Sequence, residues 1–113
     1  MIETLGALAE PTRLRIVEAL GRRPRSVGEI CDALSLGQPQ ASKHLRVLRE
    51  TGVVEVEAKA QQRIYSLRAA PLRELNLWLE RYRRIWDERM DRLDDVIEGM
   101  KEEENRDGRK KRK

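Results

Sequence analysis

Residues 38–49 combine Gln, Ser, Lys, His and Arg side chains without a single acidic residue. These residue types suit nucleic-acid recognition, because Gln, Lys and Arg hydrogen-bond base edges while Ser, His and backbone N–H groups contact phosphates. Helical spacing separates them from an apolar side formed by Ala41, Leu45 and Leu48. The pattern predicts a helix over about residues 38–51 whose polar side enters the major groove. The candidate DNA contacts on it are Gln38, Gln40, Ser42, Lys43, His44, Arg46 and Arg49.

Four short helices are predicted before residue 52. Pro11 is preorganised for the first turn of a helix, and Gly21 is expected to end that helix. Ser26 and Glu29 stand three residues apart as a capping box, and Gly52 is expected to end the fourth helix in the left-handed conformation. The predicted helices cover residues 1–10, 11–20, 26–34 and 38–51. The last two, joined by a tight turn, are typical of a helix-turn-helix.

After Gly52 the hydrophobic period changes from helical to two, which predicts two antiparallel strands. The alternation covers residues 54–59 and 63–68. Because neither Gly nor Asn stands at residues 60–62, we expect a longer, mobile loop rather than a tight two-residue turn. Lys59 and Arg63 make the tip of this hairpin, about residues 58–63, basic, which suits the minor groove or the backbone of DNA. The hairpin would be the wing of a winged helix-turn-helix.

The longest predicted element begins at Pro71 and carries an apolar seam. Successive seam residues are 3, 4, 3, 4, 4, 3, 4 and 3 positions apart, a coiled-coil pattern with one stutter. They are Leu72, Leu75, Leu79, Tyr82, Trp86, Met90, Leu93, Ile97 and Met100. Because a small domain does not cover a seam on a helix of about 30 residues, we expect a second copy of the chain to share it.

The predicted fold is therefore mainly α-helical with a small β-hairpin. It is a winged helix-turn-helix domain over residues 1–100, dimerised through its N-terminal and long C-terminal helices. Residues 101–113 are charged and contain no apolar residue, so we expect a disordered tail. The predicted dimer interface contains Leu5, Leu72, Leu75, Leu79, Tyr82, Trp86, Met90 and Leu93.

Composition narrows the classes of function. With 113 residues, one His, one Cys and no glycine-rich phosphate loop, the chain assembles no catalytic or cofactor-binding set, so we expect neither an enzyme nor a cofactor. The net charge of +4 is compatible with an acidic partner. Cys31 is either a small buried residue or a redox-active thiolate beside Arg25 or Lys43. Because neither a signal pattern nor a run of 18 apolar residues occurs, we expect a cytoplasmic protein without a membrane partner.

Four segments carry a resemblance to a known family. They are residues 7–16 (ALAEPTRLRI), 38–48 (QPQASKHLRVL), 52–54 (GVV) and 63–67 (RIYSL). In these segments the chain resembles the ArsR-type winged helix-turn-helix transcriptional regulators. The resemblance implies a homodimer, built from the first and last helices, that places two recognition helices in successive major grooves of a pseudo-palindromic operator and usually acts as a repressor.

The chain departs from the metal-sensing members of this family. Where they carry a Cys-x-Cys motif, this sequence has Ser26 and Gly28, and residues 71–100 contain neither His nor Cys. Carboxylates alone are poor ligands for zinc or a softer metal. We therefore expect no metal site, and the chain resembles the members without one.

The leading hypothesis is a dimeric repressor that binds double-stranded DNA in a sequence-specific manner. One alternative is a protein that coats DNA non-specifically through its arginines and basic tail, with little sequence discrimination and a steep salt dependence. Another is a protein-interaction module whose long helix recruits a different partner and which does not bind DNA. Trp78 and Trp86 belong either to the dimer core or to a pocket for an unidentified small-molecule effector.

Overall fold

The computed structural model describes the backbone of residues 1–111 and the side chains of residues 1–106. The helices are α1 (Ile2–Leu8), α2 (Pro11–Arg22), α3 (Val27–Leu34), α4 (Gln38–Glu50) and α5 (Ala69–Lys111), and the strands are β1 (Arg25–Ser26), β2 (Val54–Lys59) and β3 (Gln62–Leu67). The chain divides into two compact units, residues 1–76 and the residues from 77 onwards. The first unit has the predicted winged helix-turn-helix fold, and the described part of the second is helix.

The core of the first unit lies where α2, α3 and α4 meet the sheet. Its largest fully buried side chains are Ile16, Ile30, Leu45, Leu48, Val53 and Val54. Burying an aliphatic side chain of this size contributes roughly 1.5–3 kcal/mol, so the two leucines of α4 fix which side of that helix faces inward. The inward side is the one that the helical spacing predicted.

The predicted capping box at the start of α3 and the predicted left-handed glycine after α4 are confirmed. The Ser26 hydroxyl accepts the backbone N–H of Glu29 at 3.2 Å, and Oε1 of Glu29 accepts the backbone N–H of Ser26 at 3.2 Å, which completes the capping box. Gly52 has φ of +80° immediately after the last turn of α4. Both local signals act within four residues, so they do not depend on the rest of the fold.

The end of α2 differs from the prediction. Gly21 does not end this helix, which continues to Arg22. Arg23 is then fully extended, with φ of −169° and ψ of 158°. Because a proline disfavours the helical conformation of the residue before it, Pro24 accounts for the end of the helix.

The sheet has three antiparallel strands in the order β1–β3–β2, one strand more than predicted. In β1, Arg25 pairs with Tyr65 and Ser26 pairs with Ile64. A strand of only two residues is too short to show an alternation of apolar and polar side chains, so the sequence pattern does not predict it. Through it the sheet is joined directly to the start of α3.

The wing closes more tightly than predicted. Lys59 pairs with Gln62, so only Ala60 and Gln61 form the turn. Ala60 has φ of +53°, in the left-handed region. The right-handed twist of a two-residue hairpin requires positive φ, and a non-glycine residue adopts it at a cost of about 1–2 kcal/mol. The absence of Gly or Asn therefore raises the conformational energy of the turn, but the turn still contains only two residues.

The long helix exceeds its predicted bounds at both ends. It begins at Ala69 and runs for 43 residues to Lys111. Pro71 is tolerated because the N–H groups of the first turn have no partner within the helix. The segment from 101 to 111, expected to be disordered, is helical. Its Glu and Lys residues favour helix, and Glu102 and Arg106 form an i,i+4 pair at 4.0 Å. Residues 112 and 113 of the predicted tail lie outside the described residues.

Candidate nucleic-acid interface

The recognition helix α4 presents a polar surface because its apolar residues turn to the core. Ala41, Leu45 and Leu48 are at most 1% exposed. Since successive residues turn by about 100°, Lys43 lies opposite this buried side and Gln40 lies roughly 110° from it, and both are exposed. Two of the side chains that the sequence predicts in the major groove are thus accessible to a ligand.

A cleft of about 460 Å³ opens beside α4, toward β3 and the first residue of α3. Gln38, Ser42, Arg46 and Arg49 line it from α4, and Arg63 lines it from β3. The remaining lining residues are Val27 and Tyr65. The fold therefore brings five of the predicted DNA-contact residues around one concave surface without an acidic residue in its lining.

The charges of this cleft, which we call the arginine cleft, favour an anion. Nε of Arg46 donates to Oε1 of Glu50 at 3.1 Å, and this exposed pair offsets part of one positive charge. Arg49 and Arg63 form no ion pair with any side chain among residues 1–106. Guanidinium groups bind phosphate with paired hydrogen bonds, so a phosphate oxygen pair is a suitable occupant.

The wing carries two basic residues near the hairpin turn, and the strand register places them on opposite faces of the hairpin. Lys59 is the last residue of β2, and Arg63 pairs with Ala58, one step from the turn. Both side chains are exposed. Arg63 lines the arginine cleft whereas Lys59 does not, so they would contact different parts of an elongated ligand.

His44 lies apart from the other predicted contact residues. Its side chain is only 15% exposed, and Nδ1 lies 3.6 Å from Oε2 of Glu10, the residue before α2. This buried Nδ1 has no hydrogen-bond partner. The same Glu10 oxygen accepts the backbone N–H of Arg13 at 2.8 Å. That bond is the main reason why the pKa of Glu10 lies below its ordinary value.

The arginines that flank the sheet are used within the protein. Arg23 donates to Oε2 of Glu29 at 2.7 Å, and this hydrogen bond is the main cause of a lowered pKa of Glu29. Nε of Arg25 donates to the carbonyl oxygen of Ala19 at 3.2 Å. Their exposed charge is correspondingly less available than that of the arginine cleft.

The other candidate sites were also located. Ser26 is engaged as a helix cap, and Cys31 is a half-buried free thiol on α3. Among the described residues, no three His, Cys, Asp or Glu side chains are grouped as metal ligands would be. Within the second unit, a shallow apolar groove of about 280 Å³ runs along α5 beside Leu79 and Trp86. In the described part of the chain, no helix has both the length and the apolar character to span a membrane.

The sequence analysis did not predict three residues that lie in or beside the arginine cleft. Glu50 pairs with Arg46 just beyond the acid-free segment, at the i,i+4 spacing that predicts such a pair. Tyr65 lies two residues from Arg63 on β3, so strand alternation puts both on the same face. Val27 carries no signal, because only the packing of α3 against β3 brings it to the cleft.

Comparison with known proteins gives three kinds of similarity. A family profile described as a helix-turn-helix domain matches residues 8–57. The HTH-type transcriptional repressor SmtB of Mycobacterium tuberculosis is 43% identical over 65 residues, covering 58% of this chain and 48% of that protein. The chain thus spans about half the length of this curated relative.

Solved structures are similar over a larger share of their length. The transcriptional repressor BigR from Xylella fastidiosa has a TM-score of 0.60 and 38% identity, over 66% of this chain and 76% of that one. An ArsR-like transcriptional regulator from Rhodococcus sp. RHA1 has a TM-score of 0.66 and 27% identity, over 84% of this chain and 90% of that one. The similarity therefore covers the helix-turn-helix, the wing and part of the long helix.

Proposed function

This chain belongs to the ArsR-type winged helix-turn-helix transcriptional regulators, and on that premise we propose that it is a homodimeric repressor that binds double-stranded DNA at specific operators. The observation that carries the proposal is the arginine cleft, in which Arg49 and Arg63 face the same acid-free concavity from different elements. The similarity to proteins named as repressors supports the direction of regulation.

In this proposal α4 enters the major groove with its exposed side toward the bases. Gln40 and Lys43 would contact base edges, because both are exposed and turn away from the buried leucines. Gln38, Ser42 and Arg46 approach the wall of the groove from the side of the arginine cleft. Base contacts would supply the sequence preference, and phosphate contacts would fix the register.

The phosphate contacts come from both sides of the arginine cleft. Arg49 at the end of α4 and Arg63 on β3 would clamp one backbone phosphate between the recognition helix and the wing. Lys59, closer to the hairpin turn, would reach the minor groove or the next phosphate. His44 would act indirectly, by holding α4 against the start of α2, since its side chain is largely covered.

A homodimer would double this surface. Exposed apolar residues occur on α1, where Leu5 is 36% exposed, and along α5, where Leu79, Tyr82, Trp86, Met90 and Leu93 are 40–58% exposed. Leu72 and Leu75 are half-buried. A dimer through these helices would present two recognition helices to half-sites about 34–36 Å apart, one turn of DNA. We also propose that the protein acts in the cytoplasm, as the sequence analysis predicts.

The proposal is tested by the affinity of the purified protein for DNA from upstream of its own gene compared with random DNA. We expect fluorescence anisotropy at near-physiological salt to show a preference of about a thousandfold or more, the range of specific regulators. Equal, salt-sensitive binding to both would support non-specific coating. Absence of binding to either would support the protein-interaction alternative.

Matched arginine variants locate the binding surface. Arg49→Ala and Arg63→Ala should each weaken binding and reduce the dependence of log affinity on log salt by about one unit. Arg84→Ala makes the same change in net charge at an arginine of α5 that is 91% exposed and does not line the arginine cleft. Equal losses for all three variants would contradict the proposed docking.

A further inference from the structure

One peptide unit connects the end of the recognition helix to the residue that precedes the long helix. It is the unit between Gly52 and Val53, after α4 and before β2. Its N–H, on Val53, donates to the carbonyl oxygen of Leu48 in the last turn of α4 at 2.9 Å. Its carbonyl oxygen, on Gly52, accepts a hydrogen bond from Nη1 of Arg68 at 3.2 Å. Because the N–H and C=O of a trans peptide point in opposite directions, this unit bridges α4 and Arg68.

Arg68 lies between two elements and uses its main chain and its side chain on the same segment. It follows β3, which ends at Leu67, and precedes α5, which begins at Ala69. Its backbone N–H donates to the carbonyl oxygen of Val53 at 3.0 Å, next to the Gly52 carbonyl that its side chain binds. Arg68 takes part in none of the ion pairs among the side chains of residues 1–106. Its guanidinium thus serves the segment that follows α4.

The segment needs such a restraint because it contains a glycine in the left-handed region. Gly52 has φ of +80°, and no side chain limits the rotation of the peptide that follows it. The same rotation that moves the Gly52 carbonyl away from Arg68 would move the Val53 N–H away from α4. The guanidinium is also close, since a Cβ at residue 52 would lie 3.0 Å from Nη1 of Arg68. Arg68 therefore restrains the backbone where the backbone itself is most permissive.

The restrained segment in turn holds the last turn of α4, where Arg49 lies. The N–H of Gly52 donates to the carbonyl oxygen of Arg49 at 3.1 Å. Leu48 is fully buried and fixes the inward side of the helix, but Arg49 is exposed and lies near the end of α4, where helices fray. Two hydrogen bonds in series thus lead from the Arg68 guanidinium to the backbone of Arg49, which lines the arginine cleft.

We propose that Arg68 is a positioning residue for DNA binding, which holds the peptide after Gly52 and so keeps Arg49 directed toward a backbone phosphate. This inference rests on the proposed function and adds to it a residue that does not line the arginine cleft. Arg68 acts through Arg49 rather than by contact with DNA. The effect of removing its guanidinium therefore depends on whether Arg49 is present.

A double-mutant cycle measures this dependence. Arg68→Ala removes the bond to the Gly52 carbonyl and leaves the backbone bond to Val53 in place. We expect it to weaken binding to DNA from upstream of the gene about three- to fivefold in the wild-type background, the range of one exposed hydrogen bond. In the Arg49→Ala background the same substitution should weaken binding less than about 1.5-fold.

Two further variants separate the hydrogen bond from the charge. Arg68→Lys keeps a donor for the Gly52 carbonyl and should bind within about twofold of the wild-type protein. Arg73→Ala is the matched control, because Arg73 is an exposed arginine of α5 outside the ion pairs among residues 1–106. It makes the same change in net charge five residues along the chain and should alter affinity less than about 1.5-fold.

Several results would overturn the proposal. Equal losses in both backgrounds, with the salt dependence reduced by about one unit in each, would show that Arg68 contacts phosphate itself. A merely structural role would lower the melting temperature and weaken binding equally with and without Arg49. An unchanged affinity of Arg68→Ala, or no rescue by Arg68→Lys, would also contradict it. Additive losses in a protein that binds DNA would overturn this inference alone, whereas a wild-type protein that binds no DNA would overturn the proposed function as well.

Amide hydrogen exchange gives a second readout that contains no DNA. Arg68→Ala should accelerate exchange of the Val53 N–H at least about threefold, because the peptide that carries it loses one of its two restraints. Arg73→Ala should leave this exchange rate unchanged. An unchanged rate in Arg68→Ala would show that the guanidinium does not hold the peptide after Gly52, and it would overturn the proposal whatever the DNA measurements gave.

Discussion

Nδ1 of His44 on the recognition helix lies 3.6 Å from Oε2 of Glu10, the carboxylate that caps the start of α2. This contact separates His44 from its neighbour Lys43, which is exposed on the other side of the same helix turn. Adjacent residues of one helix are thus placed differently: the His44 side chain is largely covered beside Glu10, and the Lys43 side chain is exposed.

Substitution of these two neighbours should therefore have opposite consequences. We expect Lys43→Ala to weaken operator binding about tenfold, as the loss of one base or phosphate contact does, with little change in thermal stability. His44→Gln should lower the melting temperature and change DNA affinity less than about twofold, because its side chain is only 15% exposed. Anisotropy and thermal unfolding on the same preparations check both, and a large affinity loss in the folded His44→Gln variant would show that His44 itself contacts DNA.

Stability should fall in acid because the pKa values of Glu10 and Glu29 lie below the ordinary 4.5 in the folded protein. For a carboxylate with a lowered pKa, the added stability is complete above the unfolded-state value and is lost as the pH falls through the folded-state value. The Arg23 hydrogen bond is the main cause for Glu29. Urea unfolding from about pH 6 to about pH 3 should therefore show a decline in the free energy of unfolding that starts near pH 4.5.

Glu29→Gln should make this decline shallower and lower the stability at neutral pH, because the neutral amide keeps neither the ion pair nor the full capping box. Glu18→Gln is the matched control, since Glu18 is exposed on α2 and forms no ion pair among the described residues. Identical pH profiles of the wild-type protein and Glu29→Gln would refute this assignment.

Removal of the carboxylate that pairs with Arg46 should strengthen DNA binding. Glu50→Gln frees the Arg46 guanidinium at the edge of the arginine cleft, and we expect affinity for both operator and random DNA to rise about two- to threefold, equivalent to about 0.5 kcal/mol. Stability should change little, because surface pairs contribute about 0–1 kcal/mol. Glu80→Gln, which breaks the Arg83 pair on α5, is the control for net charge. A rise of equal size in both variants would assign the effect to total charge.

Replacement by alanine should change the free energy of unfolding in opposite directions at two glycines. Gly52 has φ of +80°, and a Cβ there would lie 3.0 Å from Nη1 of Arg68. Gly52→Ala should therefore lower the free energy of unfolding by about 1–2 kcal/mol. At Gly6 on α1 a Cβ would meet nothing within 4 Å, so Gly6→Ala should raise it by about 0.5–1 kcal/mol through helix propensity. Chemical denaturation measures both, and a neutral Gly52→Ala variant would mean that the left-handed residue is not required after α4.

The sequence by itself determined what depends on near neighbours along the chain. The inward side of α4, the capping box at Ser26, the left-handed Gly52 and the alternation of the wing strands follow from periodicity and local hydrogen bonding. They hold because each rests on residues at most a few positions apart, or on one repeating period.

Only the tertiary structure decided which polar residues share a surface. Helical spacing gives the direction of a side chain to within a fraction of a turn, and the neighbouring element then decides its role. His44 is covered where α4 lies beside Glu10, and β3 brings Arg63 into the same cleft as Arg49. Likewise, the strand at Arg25–Ser26 exists because β3 is there to pair with it, and Ala60 adopts a positive φ because the strand register closes the turn over two residues. These features come from contacts between residues distant in sequence, which no local pattern contains.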